Sequence, residues 1–200
     1  MPFFKRKPKP EPPQWLIVGL GNPGLKYQYT RHNAGYLCID VLSSKLGVKT
    51  DKMKFHALIA LCELGGQRCV LMKPHTYMNR SGLAVLDCAR FYQIPPERVL
   101  VISDDVSLDF GVLRLRRKGS DGGQKGLRSI AEDLGTEEFP RIKLGVGQKP
   151  HPAMKMSDWV LSDLDKDERE ILRNTCEQAC EAAELIVQGE MEYAMAKYSH

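Results

Sequence analysis

His32 and Asp104, set 72 positions apart, are the two side chains of this 200-residue chain best suited to do chemistry together. Asp104 follows the apolar run Val99–Ser103 (VLVIS), which reads as a buried strand. A carboxylate delivered there needs a hydrogen-bonding partner, and an imidazole would serve. A carboxylate bonded to one ring nitrogen fixes the tautomer and strengthens the other nitrogen as a base. The pair would then resemble a Ser-His-Asp triad without its serine, with water as the nucleophile. Ser81 and Ser103 are present, but neither sits in a GxSxG turn. A lone histidine is more often structural, and the spacing permits the contact without requiring it.

A second group of residues surrounds His32 in sequence. Gly19-Leu20-Gly21-Asn22-Pro23-Gly24 follows the apolar run Trp15–Gly19 and matches GxGxxG, the dinucleotide fingerprint. Three features weaken that reading. Pro23 and the polar stretch Leu25–His32 open no apolar helix, the next strand begins only near His56 without an acid suited to a ribose, and Asn22 is an odd choice beside a pyrophosphate. The glycines could instead let a tight loop place the Asn22 amide in a cleft. There its donor and acceptor could orient a water or stabilise an oxyanion. Equally, Asn-Pro-Gly is good turn chemistry in its own right. Further along, Lys73–Gly82 (KPHTYMNRSG) offers Tyr77 and Met78 to pack a base or an apolar side chain. Asn79 could read a peptide backbone or cap the helix that follows.

The elements that must position these residues are legible in outline. Residues 33–46 read as a helix with Ala34, Leu37, Val41 and Leu42 on one face and Gly47 as its stop. His56–Leu64 and Arg68–Lys73, separated by Gly65-Gly66, give a hairpin. A helix is expected over Asn79–Tyr92, ending before Pro95-Pro96. Val112–Arg116 alternates, with Leu113 and Leu115 on one face and Arg114 and Arg116 on the other. The glycine-rich loop Gly119–Gly126 leads into a helix to about Leu134, Ile142–Val146 is a strand, and Lys166–Gln188 a long amphipathic helix. Strands and helices alternate around at least one hairpin. The expected fold is therefore α/β: a single domain over residues 14–200, with a twisted mixed β-sheet and helices on both faces. In such sheets ligands gather at the carboxyl ends of strands. Leu20–Gly24, Pro74–Asn79 and Asp104-Asp105 all fall there.

Composition narrows the class. Hydrophobic residues make up 42% of the chain, enough for one compact core. No apolar run approaches the roughly 18 residues that span a bilayer, and the N-terminus, MPFFKRKPKPEPPQ, lacks the apolar stretch of a secretory signal. Residues 1–13 read as a disordered basic tail. Cys38, Cys62, Cys69, Cys88, Cys176 and Cys180 form no CxxC pair and look like small core residues, which suits a reducing, cytoplasmic setting. The histidines offer no HExxH, and neither a metal nor another cofactor is expected.

Charge is uneven. Residues 151–200 hold 5 Lys/Arg against 11 Asp/Glu, a net of −6, whereas residues 1–150 hold 24 against 14, a net of +10. The basic residues concentrate in 114–128 (Arg114, Arg116, Arg117, Lys118, Lys125 and Arg128 against Asp121), with Arg141 and Lys143 on the next strand. Glycine-loop amides ahead of a helix, with Arg and Lys beside them, suit phosphate. The pattern implies an RNA-like polyanion recognised by shape and backbone, or simply a solvated basic face.

Taken in order, VGLGNPGLKYQYTRHNAG, KPHTYMNRSG, VISDDVSLDFG, KGSDGGQKGL and FPRIKLGVG resemble the bacterial-type peptidyl-tRNA hydrolase family over roughly residues 15–190. That resemblance implies a metal-free esterase that cuts the ester between peptide and tRNA, recycling tRNA from stalled or prematurely released peptidyl-tRNA, and acts as a cytoplasmic monomer. It implies that His32 is the base, Asp104 its orienting partner and Asn22 the holder of the water. Tyr27, Tyr77 and Asn79 would contact the peptide or terminal adenosine, and Arg116 and Lys143 would clamp the tRNA 5′-phosphate. One block departs from the pattern. The family's loop usually reads GGHNG, with an Asn that bonds the peptide backbone; here it reads Gly122-Gly123-Gln124-Lys125-Gly126. Lys125 is a donor only: it could contact a peptide carbonyl or a phosphate, but it cannot accept from a peptide N–H. The alternative reading is a non-catalytic RNA-binding or processing factor on the same fold.

Overall fold

The computed structural model describes residues 11–199. Its centre is β1 (Trp15–Gly19), in which Leu16, Ile17 and Val18 have no exposed surface at all. So continuous an apolar run is what a strand covered on both faces needs, and burying each such side chain contributes about 1.5–3 kcal/mol. Parallel neighbours flank it: β4 (Gln67–Pro74) on one side and β5 (Val99–Asp105) on the other. The sheet has seven strands in the order β2-β3-β4-β1-β5-β7-β6. Here β2 is Lys52–Lys54, β3 Ala57–Leu64, β6 Leu113–Arg116 and β7 Arg141–Gly145. β7 runs parallel to β5, while β3 and β6 run antiparallel to their neighbours, so the sheet is mixed as expected.

Helices cover both faces. On one lie α1 (Ala34–Lys45), α5 (Lys166–Val187) and α6 (Met191–Tyr198), packed on Ile17, Leu71, Leu100 and Ile102. On the other lie α2 (Ser81–Tyr92) and α3 (Lys125–Leu134), packed on Leu16, Val18, Val70 and Val101. The short α4 (Met156–Val160) lies beside the turn that precedes α1. At the start of α5, Asp165 accepts from the Glu168 N–H at 2.8 Å and Glu168 accepts from the Asp165 N–H at 3.0 Å, a reciprocal cap.

The chain leaves β1 through α1 on one face and, after β4, crosses to β5 through α2 on the other. The strand order therefore reverses around β1, and a crevice opens at the carboxyl ends of β1, β4 and β5. Two departures from the sequence reading bear on it. The buried stripe of α1 runs through Ala34, Gly35, Cys38, Ile39 and Leu42, with Leu37 and Val41 only half-buried. The helix lies too close to the sheet for larger residues there: a Cβ on Gly35 would fall 2.4 Å from both the Ile102 carbonyl oxygen and the Leu20 nitrogen. The second departure is β2, joined to β3 by a turn in which Phe55 and His56 both have φ 54.

All six cysteines are free, and five are buried. No helix among the described residues is long and apolar enough to cross a membrane. The basic tail expected over residues 1–13 falls mostly outside the described residues; Glu11 and Pro12 are exposed and Pro13 is buried.

Candidate active site

His32 lies in a 3-10 turn, Arg31–Asn33, immediately before α1. Its neighbours hold it from both sides. Arg31 is buried against the Trp159 ring at 3.8 Å, forms an ion pair with Glu168, and donates to Ser162 Oγ and Asp163 O, each at 2.9 Å. Asn33 donates through Nδ2 to the Asn22 carbonyl at 3.0 Å and accepts from the Asn22 N–H at 2.9 Å. The His32 ring is thus suspended between α5 and the loop after β1.

His32 Nδ1 stands 2.8 Å from Asp104 Oδ2. A carboxylate only accepts, so Nδ1 carries the proton and Nε2 presents its lone pair. Nε2 has no hydrogen-bonding partner among the described residues and is open to solvent. Asp104 itself is 3% exposed at the end of β5. Its second oxygen, Oδ1, accepts from Gln124 Nε2 at 3.0 Å. Both carboxylate oxygens are therefore satisfied, as burial requires.

Asn22 is 8% exposed in the loop after β1, and its Oδ1 accepts from the Met78 N–H at 2.9 Å. Because a main-chain N–H can only donate, the orientation of the amide is fixed and Nδ2 is the end left over. One lone pair of Oδ1 is thus spent, and the Nδ2 donor makes no hydrogen bond among the described residues. The GxGxxG stretch is followed by a 3-10 turn, Leu25–Tyr27, with no long helix starting before Ala34. The long helix that the dinucleotide fingerprint places directly after its glycines is therefore not formed there.

The other expected residues are dispersed around this centre. Tyr27 is half-buried with Lys26 Nζ 4.7 Å from its ring centroid, and Tyr77 is 59% exposed. Asn79 is exposed in the turn Met78–Arg80; α2 begins at Ser81, so Asn79 does not cap it, and its side chain makes no hydrogen bond among the described residues. Lys125 is the exposed first residue of α3. Arg116 ends β6, donating to its neighbour Leu115 O at 2.9 Å. Arg116 faces Arg141 and Arg114 faces Lys143 across the β6–β7 pair, so Arg116 and Lys143 share one face of adjacent strands.

The basic stretch is less basic in space than in sequence. Lys143 Nζ donates to Asp105 Oδ2 at 3.0 Å, Arg117 pairs with Glu192 at 2.6 Å, and Lys118 with Glu138 at 2.8 Å. Arg141 is no surface charge: it is 1% exposed and donates to the carbonyls of Gly119, Ser120 and Glu137, pinning the glycine-rich loop. Arg114, Arg116 and Lys125 have no acidic partner among the described residues. No group of three or more His, Cys, Asp and Glu placed to hold a metal occurs among those residues.

The sequence reading missed Gln124. It occupies the N-cap of α3, where Oε1 accepts from the Gly126 and Leu127 N–H groups at 2.5 and 2.9 Å. The available signal was its place just ahead of the helix.

The sequence profile of the peptidyl-tRNA hydrolase family matches residues 16–200. The chain belongs to that family. A peptidyl-tRNA hydrolase of Finegoldia magna is 45% identical over 92% of this chain and 97% of its own length. One from Caldicellulosiruptor bescii is 44% identical over 90% and 94%. The crystal structure of peptidyl-tRNA hydrolase from Acinetobacter baumannii superposes with a TM-score of 0.86 at 36% identity, covering 92% of this chain and 95% of that one. That enzyme thus shares the overall fold that carries the His32–Asp104 pair here.

Proposed function

We propose that the protein hydrolyses the ester joining a peptide to the terminal ribose of tRNA, with His32 as general base, Asp104 as its orienting partner and water as nucleophile. The observation that carries this reading is the 2.8 Å contact between His32 Nδ1 and Asp104 Oδ2, which leaves Nε2 free and open to solvent. Membership of a family whose curated members are named peptidyl-tRNA hydrolases supports the substrate.

In the proposed reaction, a water bonded to His32 Nε2 attacks the ester carbonyl carbon and gives its proton to the ring. The carbonyl oxygen becomes anionic, and the unspent Nδ2 donor of Asn22 is suited to stabilise it or to orient the water. The tetrahedral intermediate collapses, the carbon–oxygen bond to ribose breaks, and the proton passes from His32 to the departing ribose hydroxyl. The products are a free peptide acid and tRNA. Asn79, exposed and with both ends of its amide uncommitted, is assigned to the peptide backbone. Tyr27 and Tyr77 are assigned to the peptide or the terminal base. The unpaired Arg114, Arg116 and Lys125 are assigned to phosphates, with Lys143 joining them only by sharing or leaving Asp105.

His32→Ala tests the reading. Cleavage of N-acetyl-aminoacyl-tRNA should fall by about 10²- to 10⁴-fold, with tRNA binding retained. A variant that turns over at the wild-type rate would falsify the assignment.

A further inference from the structure

We infer that Gln124 is a positioning residue for the reaction: by donating to Asp104 Oδ1 it keeps Asp104 turned toward His32 and so keeps the ring in the tautomer that can accept a proton. This rests on the catalytic reading of His32 and Asp104 above.

The amide of Gln124 is committed at both ends. Oε1 takes the first free N–H groups of α3, and Nε2 divides between Asp104 Oδ1 at 3.0 Å and the Met78 sulfur at 3.3 Å. It therefore ties together the start of α3, the end of β5 and the turn whose N–H engages Asn22. The backbone comes close there. A Cβ on Gly126 would lie 2.6 Å from Met78 Sδ and 2.8 Å from Leu20 Cδ1, so the first turn of α3 is fixed against the β1 loop.

Capping alone does not account for a glutamine. Short side chains such as Ser, Asp or Asn cap best because they reach the N–H groups with fewer torsions to freeze. None of them is long enough to cap the helix and also reach across to β5. Charge explains why the donor is neutral. A Lys or Arg in this place would compete with His32 for the negative charge of Asp104, whereas an amide satisfies one oxygen and leaves that charge to the imidazole.

Asp104 is 3% exposed, and His32 and Gln124 are its only side-chain partners among the described residues. Without the Gln124 donor, Oδ1 is left bare in a buried place, where a carboxyl turns away or holds a proton. A protonated carboxyl donates to Nδ1. The ring proton then moves to Nε2, and the nitrogen facing the water can no longer take its proton.

The experiment compares wild type with Gln124→Glu, which keeps the two capping bonds and sets a second carboxyl against Asp104 in place of the neutral donor, and with Gln124→Met, which loses both capping and donor. N-acetyl-aminoacyl-tRNA is the substrate, and each protein carries ¹⁵N-labelled histidine. Both variants should lose about ten- to a hundredfold in kcat with KM within about threefold. The His32 ¹⁵N resonances should show the proton on Nδ1 in the wild type and a substantial share on Nε2 in Gln124→Met. Thermal midpoints separate the capping contribution, which Gln124→Glu retains. Wild-type kcat and an unchanged His32 tautomer in both variants would overturn the inference while leaving His32 as the base. A fully active His32→Ala enzyme would overturn both.

Discussion

Asn22 and Asn33 hold each other by two reciprocal hydrogen bonds, main-chain N–H to side-chain oxygen at 2.9 Å and side-chain N–H to main-chain oxygen at 3.0 Å. The pair locks the loop after β1 to the residue next to His32. Both bonds are buried, so Asn33→Ala leaves a donor and an acceptor without partners. The expected cost is about 1–3 kcal/mol for each group left unsatisfied, read from urea unfolding. Turnover should fall too, because Asn22 and His32 lose their common anchor. A variant of normal stability and rate would mean that the loop is held by its turn chemistry alone.

Asp104→Asn changes one atom and should change the ring. Gln124 Nε2 still calls for an oxygen at the Oδ1 position, which turns the new amide nitrogen toward His32 Nδ1. Nδ1 must then accept, and the ring proton moves to Nε2. A loss of about a hundredfold or more in kcat is expected with the fold intact. Activity within about threefold of wild type, alongside an unchanged thermal midpoint, would count against the role given to Asp104.

Asp105 and Lys143 predict a pH-dependent contribution to stability. Burial raises the Asp105 pKa, but the hydrogen bonds from Ser107 and Lys143 outweigh it and hold the carboxyl below its ordinary value. A depressed folded pKa gives stability that is complete above the unfolded value, about 3.9, and lost as pH falls through the folded value. Asp105→Asn should therefore be less stable than wild type at neutral pH, and the gap should close in acid. Urea midpoints for both proteins between neutral pH and pH 2 measure it; a gap independent of pH refutes the assignment.

Gly35→Ala places a methyl group 2.4 Å from main-chain atoms of both Ile102 and Leu20. Neither can rotate away as a side chain would. Overpacking of this kind costs about 1–3 kcal/mol, and more where the backbone must shift. Since α1 follows directly on His32, kcat should fall together with the thermal midpoint. An alanine variant of undiminished stability would show that α1 can lift from the sheet at no cost.

Each end of the His32–Asp104 contact carried its own signal, a carboxylate ending an apolar run and a histidine just ahead of a helix, but that the two meet was not legible from 72 residues of separation. The middle of the sheet was legible too, β1 and most of β5 being continuous apolar runs. What escaped depended on partners distant in sequence. Arg141 counted as a surface charge until the carbonyls of residues 119–137 closed around it, and Glu192 lies outside the window whose basic charge it offsets. The β2–β3 turn uses Phe55 and His56 at positive φ, where Asn-Gly is the usual sign, so β2 gave no warning. On α1, Ala34 and Leu42 lie on the buried face as read, but Gly35, Cys38 and Ile39 complete it in place of Leu37 and Val41, because at Gly35 the helix comes too close to the sheet for a side chain. Gln124 was overlooked because its importance lies in reach, which composition does not reveal.

Two hydrophobic clusters lie on opposite faces of the sheet, and the group of contacts around Asp104 draws on both. His32 and Asn33 are carried by the α1 side, Met78 and Gln124 by the α2–α3 side, with Asp104 between them. Loosening either layer from the sheet should therefore undo the same group of contacts around Asp104.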